Sequence, residues 1–444
     1  MTTGTAAVLP RACIAAVALL LPGCATDYTD MVSPVTRELR EGSPTAALAE
    51  FREAFEDSTG GNRLLYLMEM GNLLRLCGDF AGAQTTLLEA DRLSDLQRGV
   101  EIGQEAGALL TSDLSREFRG ADYEKVMINY CLALSYALDG NMEDALVECR
   151  RVNDKLRAMN VAYADQPNRY SDDAFVRYLM GVLFEMSGDL NNALVAYRNS
   201  YSAYDSVYAG EYGLAAPSRV RMDILRIASE LGMQSVFQEY GGDDAGTGWT
   251  ALGPDSLHGE VVLVLEEGMI PARSEIDRTF VVDGRVYRLA LPGIRGLGGR
   301  RSGITLSSGD LSTAGFLAED LGAIARQNLE DHAGRDVARA IARLAVKAGI
   351  SEAGEQIVEE LTHEGSTVSQ VTGLVLSIFG AATERADLRA WLTLPSRIYV
   401  ARLRLPAGGH VLTARIDGRA CGSPIAVDVE PGRIRLVFVS EPGS

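Results

Sequence analysis

A spacing of small residues recurs between about residue 35 and residue 205, and it restricts what this chain can fold into more than any other feature. Gly71 is followed by Gly78-Asp79, Ala83 and Leu87; Ala133 by Gly140-Asn141, Ala145 and Cys149; Gly181 by Gly188-Asp189, Ala193 and Tyr197. A weaker copy sets Val35 before Gly42, Ala47 and Phe51 at the same offsets. The pattern predicts two antiparallel helices per copy. The Gly-Asp or Gly-Asn pair ends one helix by adopting positive φ and caps the next. Small residues at the first and fourth positions allow close helix contact, and the larger last residue is expected to fill the groove toward the neighbouring copy.

This pattern resembles the tetratricopeptide repeat, and agreement among the copies in spacing and residue type favours it over a generic helical bundle. The resemblance implies a solenoid whose curved surface recognises a peptide or a partner protein. The copies are not contiguous. Insertions are expected near 94–120 and 158–172, and a helix from about Pro217 to Leu231 is expected as a cap. Cys131 and Cys149 lie symmetrically about Gly140, so an antiparallel hairpin sets them opposite each other. They read either as a disulfide or as two small buried core residues.

The first 24 residues read as a secretory leader: Arg11 is the positive n-region and Ala12 to Leu21 a short apolar core. Leu21-Pro22-Gly23-Cys24 resembles the lipobox of bacterial lipoproteins, in which the cysteine thiol carries the lipid. Pro22 departs from the usual small residue at its place. By this resemblance Cys24 is the lipidation site and the mature chain faces the periplasm. Ala25, where an Asp would favour the inner membrane, points to the outer one. The net charge of −18, made more negative when Arg11 is removed, argues against nucleic acid and against general attraction to anionic lipid.

Residues 241–255 are rich in Gly and Asp and read as a linker, after which the character changes. Glu260 to Glu266 reads as a strand, and Thr279 to Leu291 as a hairpin about Asp283-Gly284. Arg397 to Leu405, His410 to Ile416, Ile425 to Val429 and Arg433 to Val439 read as further strands. Between them an insertion at about 317–390 reads as helical. It carries a basic stripe of Arg335, Arg339, Arg343 and Lys347, either a contact for an acidic partner or headgroups, or a solvated face. Val368 to Ala382 reads as a buried helix in preference to a membrane span. The expected fold is α+β and multidomain: a leader (1–24), helical repeats (25–240), a linker (241–255) and a β-rich, sandwich-like domain (256–444) made of sequence-distant halves.

Leu263 to Gly268, Arg339 to Arg343, Ala386-Asp387-Leu388-Arg389-Ala390-Trp391-Leu392-Thr393-Leu394-Pro395, Ala401 to Leu403 and Leu405 to Gly408 are similar to an uncharacterised family of bacterial tetratricopeptide lipoproteins. That resemblance implies the architecture and no activity or cofactor.

Chemistry is hard to find in the sequence. Gly293 to Gly303 lacks the third glycine of a dinucleotide loop and reads as a flexible loop. No cysteine sits at metal-ligand spacing, and four histidines make a zinc site improbable. No catalytic residue, metal or cofactor is therefore assigned. The expected function is a non-catalytic scaffold that binds an unidentified protein of the cell envelope. The alternatives are a glycan-processing enzyme using Glu266, Glu267 and Asp387, and a purely structural lipoprotein. Asp387 and Arg389 are expected to form a structural ion pair.

Overall fold

The computed structural model describes residues 28–55, 60–101, 117–162, 169–242, 253–282, 285–294, 300–332 and 386–443. Cys24, the basic stripe 335–347 and the apolar stretch 368–382 lie outside them.

The N-terminal half is a tetratricopeptide-like array of helical hairpins: α1 (Tyr28–Arg40) with α2 (Pro44–Ala54), α3 (Arg63–Leu76) with α4 (Phe80–Glu101), α5 (Asp122–Leu138) with α6 (Met142–Ala162), and α7 (Ala174–Met186) with α8 (Leu190–Ala203). Each turn is closed by the same two main-chain hydrogen bonds. In the second hairpin Gly78 N–H donates to Arg75 C=O and Asp79 N–H to Leu74 C=O, both at 3.0 Å. These satisfy carbonyls that a helix end would otherwise leave unpaired. The turn glycines Gly42, Gly78, Gly140 and Gly188 have φ between 77° and 85°, which a side chain would oppose. The next residue caps the second helix: Asp79 accepts from Gly82 N–H, Asn141 from Asp144 N–H and Asp189 from Asn192 N–H.

α8 continues through a π-helical turn (Tyr204–Tyr208) into the short α9 (Ala209–Glu211). A further hairpin then pairs α10 (Ser218–Glu230) with α11 (Gln234–Glu239) through the same turn at Gly232-Met233. The segment expected as a single capping helix is thus the first arm of another hairpin. Met233 cannot cap and Phe237 replaces the usual alanine, so the small-residue pattern is absent there. Nor are 94–120 and 158–172 simply irregular insertions, because α4 and α6 run on to Glu101 and Ala162.

The packing of the last residue of each copy has a second side. A Cβ on Gly71 would lie 2.5 Å from Leu87 Cγ, and one on Gly181 would lie 2.5 Å from the Tyr197 ring. The last residue of these copies therefore seats on the first glycine of its own hairpin, whose bare backbone leaves the space. In the first copy the last residue also reaches the neighbouring hairpin, where Phe51 stacks on Tyr66 at 5.5 Å.

The C-terminal half has two four-stranded sheets. One runs β10 (Ile434–Glu441), β1 (His258–Glu267), β7 (Arg397–Pro406), β6 (Phe316–Glu319); the other β5 (Leu311–Ala314), β4 (Ile304–Ser308), β8 (Gly408–Ile416), β9 (Arg419–Val429). Each joins strands from both sides of residues 333–385, as expected of sequence-distant halves. Among the described residues β2 (Arg273–Val282) and β3 (Arg285–Ile294) form a separate two-stranded sheet. β6 and a helical stretch at 321–332 open the region expected as a wholly helical insertion, while 386–391 carries no helix.

β1 is buried along nearly its whole length. Its even-numbered residues face the helices, its odd-numbered ones the second sheet, and buried residues of helices and both sheets form one hydrophobic cluster. Among the described residues no helix is long and apolar enough to cross a membrane.

Gly181→Ala is expected to destabilise the fold in urea unfolding by about 1–3 kcal/mol through overpacking against Tyr197, despite alanine's better helix propensity. Gly210→Ala, where the added carbon meets nothing within 4 Å, is expected to be neutral or stabilising. Equal effects from the two would refute the packing account.

Candidate functional site

The inner faces of α3, α5, α7 and α10 form the concave side of the repeats, where such an array would hold a ligand. They carry an unusual density of buried charge. Glu69, Asn72 and Arg75 recur at three-residue spacing on one face of α3, and Arg219, Asp223 and Arg226 share a face of α10.

The first sheet presses its charged face against them. Arg75 Nη2 meets Glu266 Oε2 at 2.7 Å, and Tyr130 OH donates to Glu266 Oε1 at 2.9 Å. The Arg75 guanidinium also lies 4.9 Å from the centre of the Phe438 ring on β10. Further along, Arg402 of β7 reaches Asp223 (3.2 Å), Glu185 (3.2 Å) and Glu260, and donates to Tyr197 OH at 3.0 Å. Arg219 pairs with Glu260 at 2.8 Å and Arg226 with Glu185 at 2.6 Å. Three arginines thus face three buried carboxylates, with Arg402 fully buried and Arg219 at the margin of the network. Burial pushes the Asp223 carboxyl up, but Arg219, Arg402 and Arg226 outweigh it and hold it well below the usual carboxylate range. Glu260 is lowered in the same way.

The other end of the groove is filled by the chain itself. Residues 391–393, from the block singled out for its family resemblance, form a turn lodged against α3 and α5. Glu124 accepts from Trp391 N–H at 2.9 Å, and Glu69 accepts from Leu392 N–H at 2.7 Å and Thr393 N–H at 3.2 Å. Asn72 Nδ2 donates to Thr393 C=O at 2.8 Å. The Thr393 hydroxyl donates to Glu69 and accepts from Asn72 and Trp391 Nε1, which fills its bonding capacity. The repeats therefore read the main chain of their own C-terminal half. Burial raises Glu69 to about 7, against the lowering effect of its hydrogen bonds from Thr393, Leu392 and Tyr28.

The carboxylates weighed as an enzymatic set do not converge. Glu266 faces the helices, whereas Glu267 faces the other way, bonded to Ser302 and 3.4 Å from Arg397. Asp387 is bound by Arg389 at 2.7 Å. Arg389 also donates to Asn62 Oδ1 at 2.6 Å, so this pair links the segment to α3's start.

The disulfide alternative is corrected. Cys131 and Cys149 are free and buried, because they occupy different seams. Cys131 Sγ turns toward Asn72 of α3, whereas Cys149 lies under the influence of Glu148 and Asp173. Burial pushes the Cys131 thiol up to about 12 and that of Cys149 higher still, away from the reactive thiolate. Among the described residues no group of three or more acidic, histidine or cysteine side chains could hold a metal.

No family model matches the chain, and no curated protein does. Among solved structures the helical half is similar to MamA (14% identity, TM-score 0.30, covering 48% of this chain and 86% of that one). It is also similar to the apo form of RapI (10%, TM-score 0.35, 50% and 56%). A third is a putative kinesin light chain with TPR-like repeats from Podosopora anserina (12%, TM-score 0.32, 47% and 89%). Likenesses this weak carry nothing about function to this chain.

Removing one partner from a buried network leaves charges uncompensated, at a cost of about 3–5 kcal/mol. Arg402→Met is accordingly expected to lower stability by about that much, with helical and strand signals lost in one cooperative transition. Asp223 and Glu260 are depressed in the fold, so their contribution is complete above about pH 4.5 and is lost as pH falls through their folded values. Urea unfolding followed by far-UV circular dichroism across acid pH tests both points. Separate transitions for the two halves would contradict the seam.

Proposed function

We propose that this protein is a lipid-anchored, non-catalytic scaffold of the cell envelope, tethered through Cys24 and facing the periplasm, with the outer membrane as its preferred site. The observation that carries the scaffold reading is the closed concave face. The repeats spend their recognition groove on the chain's own sheet and on residues 391–393, so the array and the sheet form one rigid body. A partner protein is then met by the outward helices. There α4 and α6 flank a depression of about 430 Å³ lined by Leu88, Asp91, Arg92, Asp95, Leu96 and Arg151. Leu96 is 62% exposed and Leu88 37%. Apolar side chains among charged neighbours are the composition of a protein contact.

The tether is tested by Cys24→Ser, expected to move the protein from the detergent phase to the aqueous phase and to abolish incorporation of labelled fatty acid. Unchanged partitioning would exclude the anchor. The membrane is read by density separation of inner and outer fractions. For the partner, deleting repeats would be uninformative, because it would strip the sheet of its cover. Leu96→Glu with Leu88→Glu is the appropriate change, since both side chains stand at the surface. Mild crosslinking should capture a stoichiometric envelope protein with the wild type and lose it with the double variant. Recovery of the lone lipoprotein in both cases would overturn the reading.

A further inference from the structure

Beside β6 the seam changes character: among the described residues its buried carboxyl groups form no ion pair with an arginine, although Arg177 lies near enough to Asp173 to act on its charge. Asp173, fully buried, caps α7 by accepting from Val176 N–H at 2.7 Å and accepts from Tyr170 OH at 2.7 Å. Glu319, the last residue of β6 and equally buried, accepts from Tyr208 OH at 3.1 Å through Oε2, while its Oε1 has no hydrogen-bond partner. Tyr204 OH donates to Ala318 C=O at 2.7 Å, and Tyr208 packs edge-on against both Tyr204 and Tyr212. The π-helical turn Tyr204–Tyr208 carries two of these hydroxyls, and such turns gather at sites under functional constraint.

We propose that this acid–tyrosine cluster is a proton-dependent latch: while it retains a proton it holds β6 against α7 and the π-helical turn, and when both carboxyls are ionised it lets that edge of the sheet open.

The charged groups around the cluster explain why a proton is needed. Arg177 on α7 is engaged with Asp172 at 2.6 Å. Arg169, ahead of α7, is engaged with Asp331 at 3.2 Å and with Glu211 of α9 at 3.6 Å. On β7, Arg397 meets Glu267 at 3.4 Å and Asp320 at 3.9 Å. Arg301 donates to the main-chain carbonyls of Tyr212 and Gly213, at 3.3 and 3.0 Å, while Asp320, Glu330 and Asp331 add negative charge. Among the described residues neither Asp173 nor Glu319 forms an ion pair, and two uncompensated buried carboxylates repel each other at low dielectric. Burial raises Asp173 to about 6; burial and the Asp173 charge raise Glu319 well above the usual range. Because both are raised in the fold, their stabilising contribution is greatest at acid pH and declines as pH rises through the folded values. β6 is also the edge strand, so it can detach without breaking the β1–β7 centre.

The test is amide hydrogen exchange, corrected for intrinsic rates, on the full chain at about pH 5.5 and about pH 8.5. Protection of β6 and of 204–208 should fall by about tenfold or more on going to the higher pH, tenfold being one unit of differential protonation, while β1 keeps its protection. Glu319→Gln, which carries no charge at either pH, should abolish the difference. If that variant does not fold, Asp173→Asn serves instead, because asparagine retains the capping oxygen. Equal protection of wild-type β6 at both pH values, or an undiminished difference in the neutral variant, would overturn the proposal.

Discussion

Arg402 stands on an inner strand with its guanidinium turned into the helices, and burying that charge costs several kcal/mol unless carboxylates meet it there. Those carboxylates come from three elements: Glu185 from α7, Asp223 from α10 and Glu260 from β1. Arg402 gains its full set of partners only when all three elements are in place, whereas Asp223 is also paired with Arg219 and Arg226 of its own helix. The network therefore contributes less to net stability than to specificity. A one-residue register slip of β1 or β7 within the sheet would turn Glu260 and Glu266, or Arg402, to its other face and leave their helical partners unpaired. Arg75 and Glu266 repeat the device further along the seam, so the register of helices on sheet is fixed at two separated points.

The hairpins were legible in the sequence because their signal is local. A glycine with positive φ, a capping side chain one residue on, and small residues at fixed offsets all act within one turn and the helices beside it. Where one of these fails, as at Met233 and Phe237, the hairpin still forms because tertiary packing supplies what the turn lacks. The seam was hidden for the opposite reason. Arg75 and Glu266 are 191 positions apart, and Asn72 and Thr393 are 321 apart. Adjacent Glu266 and Glu267 look like an acid pair when read along the chain, yet a strand sends them to opposite faces. Strands β4, β5 and β6 are short and flanked by glycine, which left 304–319 without a recognisable alternation.

The block from Ala386 to Pro395 shows how a conspicuous motif can be misplaced. Its Leu, Ala and Trp content suits a helix, and it was expected at the end of one. Instead its main-chain donors are taken up by Glu124 and Glu69, and its carbonyl at Thr393 by Asn72. A segment without regular structure must find partners for its buried peptide groups, and here side chains of the repeats supply them. The groove thus holds a turn of the chain by its backbone, and the bound segment is part of the same molecule. Recognition chemistry has been turned into a domain joint. Removing the repeats would therefore strip one face of the sheet of its cover.

Two ways of carrying buried acid along one seam have opposite consequences. Where arginines face the carboxyls, as at Asp223 and Glu260, the fold loses stability as the medium becomes acidic. Where hydroxyl and peptide groups face them in place of arginines, as at Asp173, Glu319 and Glu69, it loses stability as the medium becomes basic. The first set lies at the centre of the sheet, held by strands that pair on both sides. Asp173 and Glu319 lie at its free edge, where few main-chain bonds oppose opening. Rising pH thus acts first on the part of the structure least able to resist it, while the arginine network keeps the rest of the sheet against the repeats.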